Sequence, residues 1–425
     1  MNEKFEIRID KQFAIVSALL VVVNFILEIY YIFFLSTNFN YLGFKDQFSI
    51  IKYIEIKLFL VFFVGLSYYV FKKSHFVYAV YILLLLFFFI PNSIMYAFMD
   101  HIRGPLYSIV LLLILVASIS TVKIKIRTLT TSIYFKYFFI SIISLIFLIP
   151  VIVEFGSNFN LNTLFLKDIY ETRDVFTENI SSRVNYFYNW EVKIVVPVLL
   201  VFFLIKKKYL LAILSFLILI YLFIISGNKS VYLTSMITIF FFFVGGKSYV
   251  KKIKYFLLFL VFAFIAIPIV DVFVLNGFLL RGTFVMRTFY FPALLNYCYF
   301  DFFKDAPLYF SENHFFNLFF HSPYKLNSAY LISETYFNTS EMYANNGIIS
   351  DGYKNLGYWG VLILSTLFAG IFTFFNSISV NSRYFGIFFI FVFFFLSTPM
   401  MTVFVTGGLW MLFLFGFTLL KPQKL

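Results

Sequence analysis

The chain has 425 residues, of which 62% are hydrophobic and only 12% charged, and its mean hydropathy is +0.93. A soluble domain carries about twice that charged fraction, so the composition excludes an ordinary soluble protein and points to an all-α polytopic integral membrane protein. The formal net charge of +13 would suit nucleic acid, but the cations gather beside apolar runs and leave little for such a partner.

Twelve apolar segments follow in chain order: 13–36, 54–71, 76–98, 105–121, 134–153, 192–205, 209–226, 230–246, 255–275, 357–376, 384–398 and 400–420. A bilayer core asks for about 20 apolar residues per helix, so the expected count is about 12 spans, within a range of 10–12. The segment 192–205 is short and contains Pro197, and Pro399 alone divides the last two. The opening "MNEKFEIRIDK" mixes acids with bases and no small-residue cleavage site follows the first run, which predicts an uncleaved first span.

Clusters such as Lys72–Lys73, Lys123–Lys125–Arg127, Lys206–Lys208 and Lys247–Lys254 fall on one side of this arrangement. The positive-inside rule then puts both termini in the cytoplasm. The expected organisation is one transmembrane domain over 1–425, with a smaller external loop at 155–190 and a large one at 276–355. A loop as long as the second is usually functional. Its stretch "FFKDAPLYFSENHFFNLFFHSPYKL" is amphipathic and suits the plane of the membrane interface.

Phe occurs 67 times and Tyr 31 times; both have A/T-rich codons, and the density is read as codon bias rather than as a stacking platform. The single cysteine, Cys298, forms no internal disulfide. His75, His101, His314 and His321 are scattered, and no metal-ligand spacing, P-loop or Rossmann glycine pattern is present. No cofactor or metal is therefore expected.

Five features carry candidate chemistry. Arg281 and Arg287 open the large loop, and guanidiniums near a bilayer suit phosphate or pyrophosphate; six residues apart, they need not share a helical face. Lys229 lies in the short turn "SGNKS" between two spans, where glycine permits close approach to an anion. His314 and His321 are seven apart, about two helical turns, and a histidine is suited to accept a proton at neutral pH. Glu28 and Asp271 fall within apolar runs; Glu28 is the expected member of a buried pair, whereas Asp271, near a helix end, is expected to be solvated at the interface. Last, "YANNGIISDGYKNLGYWG" places Asn345, Asp351, Tyr353 and Asn355 among Gly347, Gly352, Gly357 and Gly360 directly before a span. Asn and Asp there also fit helix caps, Tyr358 and Trp359 an interfacial anchor, and Gly357 and Gly360 close helix packing.

That stretch resembles the "N-x-N-T-G…D-x-x-x-N-x-G-x-x-G" pattern before a late span in bacterial O-antigen polymerases, the Wzy-type oligosaccharide repeat-unit polymerases, with Asn346 where threonine is frequent. "SGNKS" is similar to that family's "G-S-[KR]-S" turn, and "RTFYFPALLNYCYFDFF" to its loop opening. The resemblance implies a GT-C-like membrane glycosyltransferase in the bacterial inner membrane. Donor and acceptor would be glycans linked to undecaprenyl pyrophosphate, with membrane lipids and a chain-length regulator as further partners and no nucleic acid. It implies that Arg281, Arg287 and Lys229 stabilise the leaving pyrophosphate, that His321 acts as base with Asp351 or Glu341 as rivals, and that Asn345, Tyr353 and Asn355 hold sugar. The alternatives are an O-antigen ligase, which shares the architecture, and a lipid-linked oligosaccharide flippase or transporter.

Overall fold

The computed structural model describes residues 10–129, 131–165, 167–313 and 316–421. Among the described residues every regular element is helical. Eight helices among the described residues are long and apolar enough to cross a membrane: Lys11–Asn38, Ile50–Lys73, His75–Phe98, Ile133–Phe155, Ser182–Ile205, Tyr209–Ser226, Tyr249–Phe273 and Ile348–Ser377. Shorter apolar helices at Gly104–Ile119, Lys229–Phe243, Ser382–Ser397 and Leu409–Thr418 occupy the four remaining apolar segments. The protein is thus a membrane-embedded, multi-pass helical protein. Its contacts cluster into two compact units.

The first unit comprises residues 1–123, 248–376 and 395–400. Its centre is His75–Phe98, whose most apolar stretch is wholly buried and packs against Ile50–Lys73, Gly104–Ile119 and Tyr249–Phe273. Pro91 supplies no N–H to the helical ladder, and a π turn at Leu85–Phe89 precedes it. Asn92 Nδ2 donates to the Phe88 carbonyl at 2.8 Å and so satisfies part of the disturbed backbone. Glu28 is buried and paired: it accepts from Asn24 Nδ2 at 2.7 Å, from the Tyr53 hydroxyl at 3.2 Å, and from Lys57 Nζ. This is the buried pair expected for it.

The long connection 276–355 contains much more structure than a loop. A π-helical run, Arg281–Tyr290, continues into the helix Phe291–Phe302, and a further helix spans Ser328–Phe337. Among its described residues the amphipathic stretch is mostly irregular, with one 3₁₀ turn at Phe316–Leu318.

The second unit comprises 124–247, 377–394 and 401–425. Here the sequence boundary at 192 is corrected. Ser182–Ile205 is one helical run, because "SRVNYFYNW" buries Val184 and Tyr188 while packing on Ile133–Phe155. The expected loop 155–190 therefore holds the helix Ile169–Asn179 and the start of a span.

The helix Ile348–Ser377 in the first unit is broken. Leu356 (φ −140°, ψ 20°) and Gly357 (φ 59°, ψ −144°) leave helical geometry. A positive φ of this kind suits glycine, which has no Cβ to clash. The chain turns so that Gly352 and Gly360 approach backbone to backbone. A Cβ on Gly360 would lie 2.0 Å from the Gly352 carbonyl oxygen, and one on Gly352 would lie 2.7 Å from the Val361 nitrogen. The close packing on a neighbouring helix expected of Gly357 and Gly360 is thus corrected: Gly360 packs on Gly352 within the same helix, and a Cβ on Gly357 would meet nothing within 4 Å. Gly360→Ala is expected to lower the thermal midpoint in detergent by several degrees or to prevent folding. Gly370→Ala, whose Cβ would meet nothing within 4 Å, is expected to be neutral or to stabilise by about 0.5–1 kcal/mol. Equal midpoints for the two variants would remove the role assigned to the contact.

Candidate functional site

The break at Leu356–Gly357 creates a short helical piece, residues 348–355, and the polar groups of the quoted motif lie on it. Asp351 is buried and its carboxylate is fully engaged. Oδ2 accepts from the Met400 amide at 2.9 Å, Oδ1 accepts from Asn355 Nδ2 at 3.0 Å, and Lys354 Nζ stands 4.0 Å away. Lys354, also buried, donates to Glu312 Oε2 at 2.7 Å and to the Ser328 hydroxyl at 2.9 Å. Glu312 further accepts from the Ser328 amide and, at 2.8 Å, from its hydroxyl. Asn355 is no helix cap. Its side chain bonds back to the Asp351 carbonyl at 2.7 Å and accepts from the Phe310 amide at 2.8 Å. The carbonyls of Lys354 and Asn355 accept from the amides of Leu308 and Tyr309 at 2.8 and 3.0 Å.

A second polar knot sits beside the first. Asn346 Nδ2 donates to Asn296 Oδ1 at 2.9 Å and to Ser350 Oγ at 2.7 Å, and Ser350 Oγ donates to Asn296 Oδ1 at 2.5 Å. Asn345 reaches the Ser397 carbonyl at 3.4 Å and stays partly exposed. Tyr353 stacks on Phe300, with centroids 3.7 Å apart and planes 11° apart, and Tyr358 packs edge-on to the pair.

The two arginines differ. Asp271 is not solvated, contrary to the expectation. Its side chain is 0% exposed and accepts from the Leu280 and Arg281 amides at 2.8 Å each and from Arg281 Nε at 3.1 Å. Arg281 also donates to the Gly277 carbonyl at 3.0 Å and lies over the Phe34 ring at 4.7 Å. Arg287 is exposed, with no carboxylate within ion-pair distance among the described residues. His321 is exposed on irregular chain, so no helix carries it two turns from His314, which lies outside the described residues. Glu341 is exposed.

Lys229 belongs to the second unit. It begins the helix Lys229–Phe243, whose N-cap is Asn228. Its ammonium is exposed, donates to the Tyr170 hydroxyl at 3.2 Å and lies 4.5 Å from that ring's centroid.

Sequence reasoning passed over several groups. Glu312 and Lys354 pair across 42 residues, a separation with no local signal. His101 stacks on Tyr297 at 4.3 Å; burial, aided by the Lys52 ammonium, pushes its imidazole down to about 4, so it stays neutral. In the second unit, Glu191 is fully buried in a π turn, Glu191–Val195, and is bonded by the Ser144 hydroxyl. The signal there was a carboxylate in "NWEVK", immediately before an apolar run. Among the described residues no three His, Cys, Asp or Glu side chains gather as a metal-ligand set. No family model, no curated protein and no solved structure matches the chain.

Chemically, the junction holds a charge network that fastens the connecting segment to the start of a span, and it leaves Arg287 and His321 free to meet solvent. Burial pushes the Glu312 carboxyl up, but the Lys354 ammonium and the Ser328 donors outweigh it and hold the group below its ordinary 4.5. A folded-state value below the unfolded one gives stability that is complete above about 4.5 and is lost as pH falls through the lower folded value. Thermal midpoints of wild type and Glu312→Gln should therefore differ near neutral pH and converge in acid below that range. Lys354→Met strands the buried Asp351 and the half-buried Glu312 and is expected to cost about 3–5 kcal/mol. A Glu312→Gln difference independent of pH would contradict the assigned ion pair.

Proposed function

We propose that the chain is a membrane glycosyltransferase that polymerises oligosaccharide repeat units carried on undecaprenyl pyrophosphate, as O-antigen polymerases do. The observation that carries this reading is the folded form of the "YANNGIISDGYKNLGYWG" stretch. Its glycines make a broken helix, its Lys and Asn fasten the long connecting segment, which carries an exposed arginine, to the start of a span, and its Asp holds the Met400 amide. The reading further takes the fold as GT-C-like with twelve spans, counting the four shorter helices, and takes both termini as cytoplasmic and the connection 276–355 as external.

In this reaction a sugar hydroxyl of the acceptor attacks the anomeric carbon of the donor. The glycosidic bond to the pyrophosphate breaks, and undecaprenyl pyrophosphate leaves with the bonding pair. The leaving group gains negative charge as the bond opens, so a fixed cation stabilises the transition state more than the ground state. Arg287 is assigned this contact, because its guanidinium is exposed and unneutralised. Lys229, with an exposed ammonium in the second unit, is assigned an anion contact of the same kind. Arg281 shapes the backbone before Arg287, since Asp271 already neutralises it. His321 is the group assigned to take the acceptor proton. Asp351 acts through what it holds, and Tyr353, with Asn345, offers an aromatic and amide surface to sugar.

The test is the surface polysaccharide of source cells lacking the gene and complemented with variants. Deletion should abolish the ladder of long chains and leave a single-repeat band. Arg287→Ala should reduce long polymer by about a hundredfold at normal protein level, whereas Arg281→Ala, which strands buried Asp271, should reduce the protein itself. A ladder unchanged by the deletion would refute the reading, and loss of the single-repeat band as well would redirect it to a ligase or flippase.

A further inference from the structure

We infer that the turn at residues 316–320 inserts into the membrane interface, so that the connection 276–355 rests on lipid by an apolar tip. The inference does not depend on the proposed reaction. Leu318, Phe319 and Phe320 are adjacent and are 74%, 68% and 46% exposed. Exposed phenylalanines on the spans need no explanation, because lipid covers them. These three lie outside the eight spans, and three contiguous exposed apolar side chains mark a surface that something covers.

The hydrogen bonds locate that surface. The Phe316 carbonyl accepts from the amides of Phe319 and Phe320 at 2.9 Å each, which closes the turn. Phe320 stacks on Tyr309 with centroids 5.7 Å apart. The backbone of Leu308–Phe310 is in turn bonded to Lys354 and Asn355. Three and four residues beyond Asn355, Tyr358 and Trp359 open the apolar stretch of the Ile348–Ser377 helix and are 60% and 73% exposed, as aromatic anchors at the lipid headgroups are. Four residues span at most ~14 Å, so the turn is fastened near the level of that anchor. His321 and Lys325, both exposed, follow the apolar tip. That order, apolar tip and then basic rim, fits acyl chains below and anionic headgroups above. The occupant is therefore the bilayer interface of the membrane that holds the spans.

The test is depth measured by spin labelling. Cys298 is buried, and burial pushes its thiol up to about 12, so a cysteine-directed label goes to an introduced site. Leu318→Cys and Lys304→Cys are labelled separately in the full chain and placed in nanodiscs of phosphatidylcholine and phosphatidylglycerol. The label at 318 should collide several-fold more often with oxygen than with a water-soluble nickel chelate, and the label at 304 should show the reverse. A label at 318 as open to the chelate as that at 304 would overturn the inference. So would shielding from both reagents, which would mean that protein, a second copy or another partner, covers the tip. Wild-type protein supplies the second measurement: a phospholipid carrying a photoreactive carbene precursor near its headgroup should mark the peptide containing residues 316–320. Adducts confined to the spans would also overturn it.

Discussion

The ammonium of Lys354 is the point on which the first unit's connecting segment depends. A buried cation is tolerated only where its charge is matched and its protons are bonded. Lys354 meets both conditions with Glu312 and Ser328, and Asp351 adds a second negative charge at 4.0 Å. Each of those partners is itself held: Asp351 by the Met400 amide and Asn355, Glu312 by the Ser328 amide and hydroxyl. One charge therefore ties together residues 308–312, the helix Ser328–Phe337 and the short piece 348–355. The glycines make this possible from the other direction. Only a turn at Gly357, with Gly352 against Gly360, sets the short piece where its carbonyls receive the amides of Leu308 and Tyr309.

The same requirement explains the other charges near the spans. Asp271 is surrounded by two amides and a guanidinium, and Glu28 by an amide, a phenol and an ammonium. Glu191 in the second unit is different. One oxygen is bonded by Ser144 while the other has no hydrogen-bond partner among the described residues, and Lys193, two residues on, lies over the Phe394 ring at 5.2 Å. Polar groups inside a membrane protein are costly and mark function more often than packing, and π turns gather at such places. The first unit thus satisfies its buried carboxylates, while the second retains one that is buried and half satisfied.

Much of this was legible in the sequence for one reason: lipid imposes a length. Apolar runs near 20 residues announce helices whatever their partners, and so the long helices fall on the expected segments. Glu28 was readable because a carboxylate deep in such a run needs a cation. The misreadings share a different cause. "SRVNYFYNW" looks like loop by composition, yet one face of it packs on a neighbouring helix, and the Ser182–Ile205 helix begins ten residues early. Asp271 looked solvated because its donors, the amides of Leu280 and Arg281, come from backbone that curls back nine and ten residues later. Lys354 was visible within the motif, but its meaning lies in Glu312, which no spacing rule connects to it.

Where an anion can act on this protein follows from which cations are already neutralised. Arg281 gives its Nε to Asp271 and another nitrogen to the Gly277 carbonyl. A phosphate arriving there would compete with a buried carboxylate that cannot leave, so the net gain is small. Lys354 is in the same position, enclosed by Glu312 and Asp351. Arg287, six residues after Arg281, meets no carboxylate among the described residues. Its neighbours in the run, Val285, Met286, Phe289 and Tyr290, are buried and fix the backbone from which it projects. A cation that is exposed, unneutralised and mounted on a packed helix pays little reorganisation when charge develops beside it. Arg281 and Asp271 make that mount, and their pairing leaves Arg287 as the cation of this helix available to an anion.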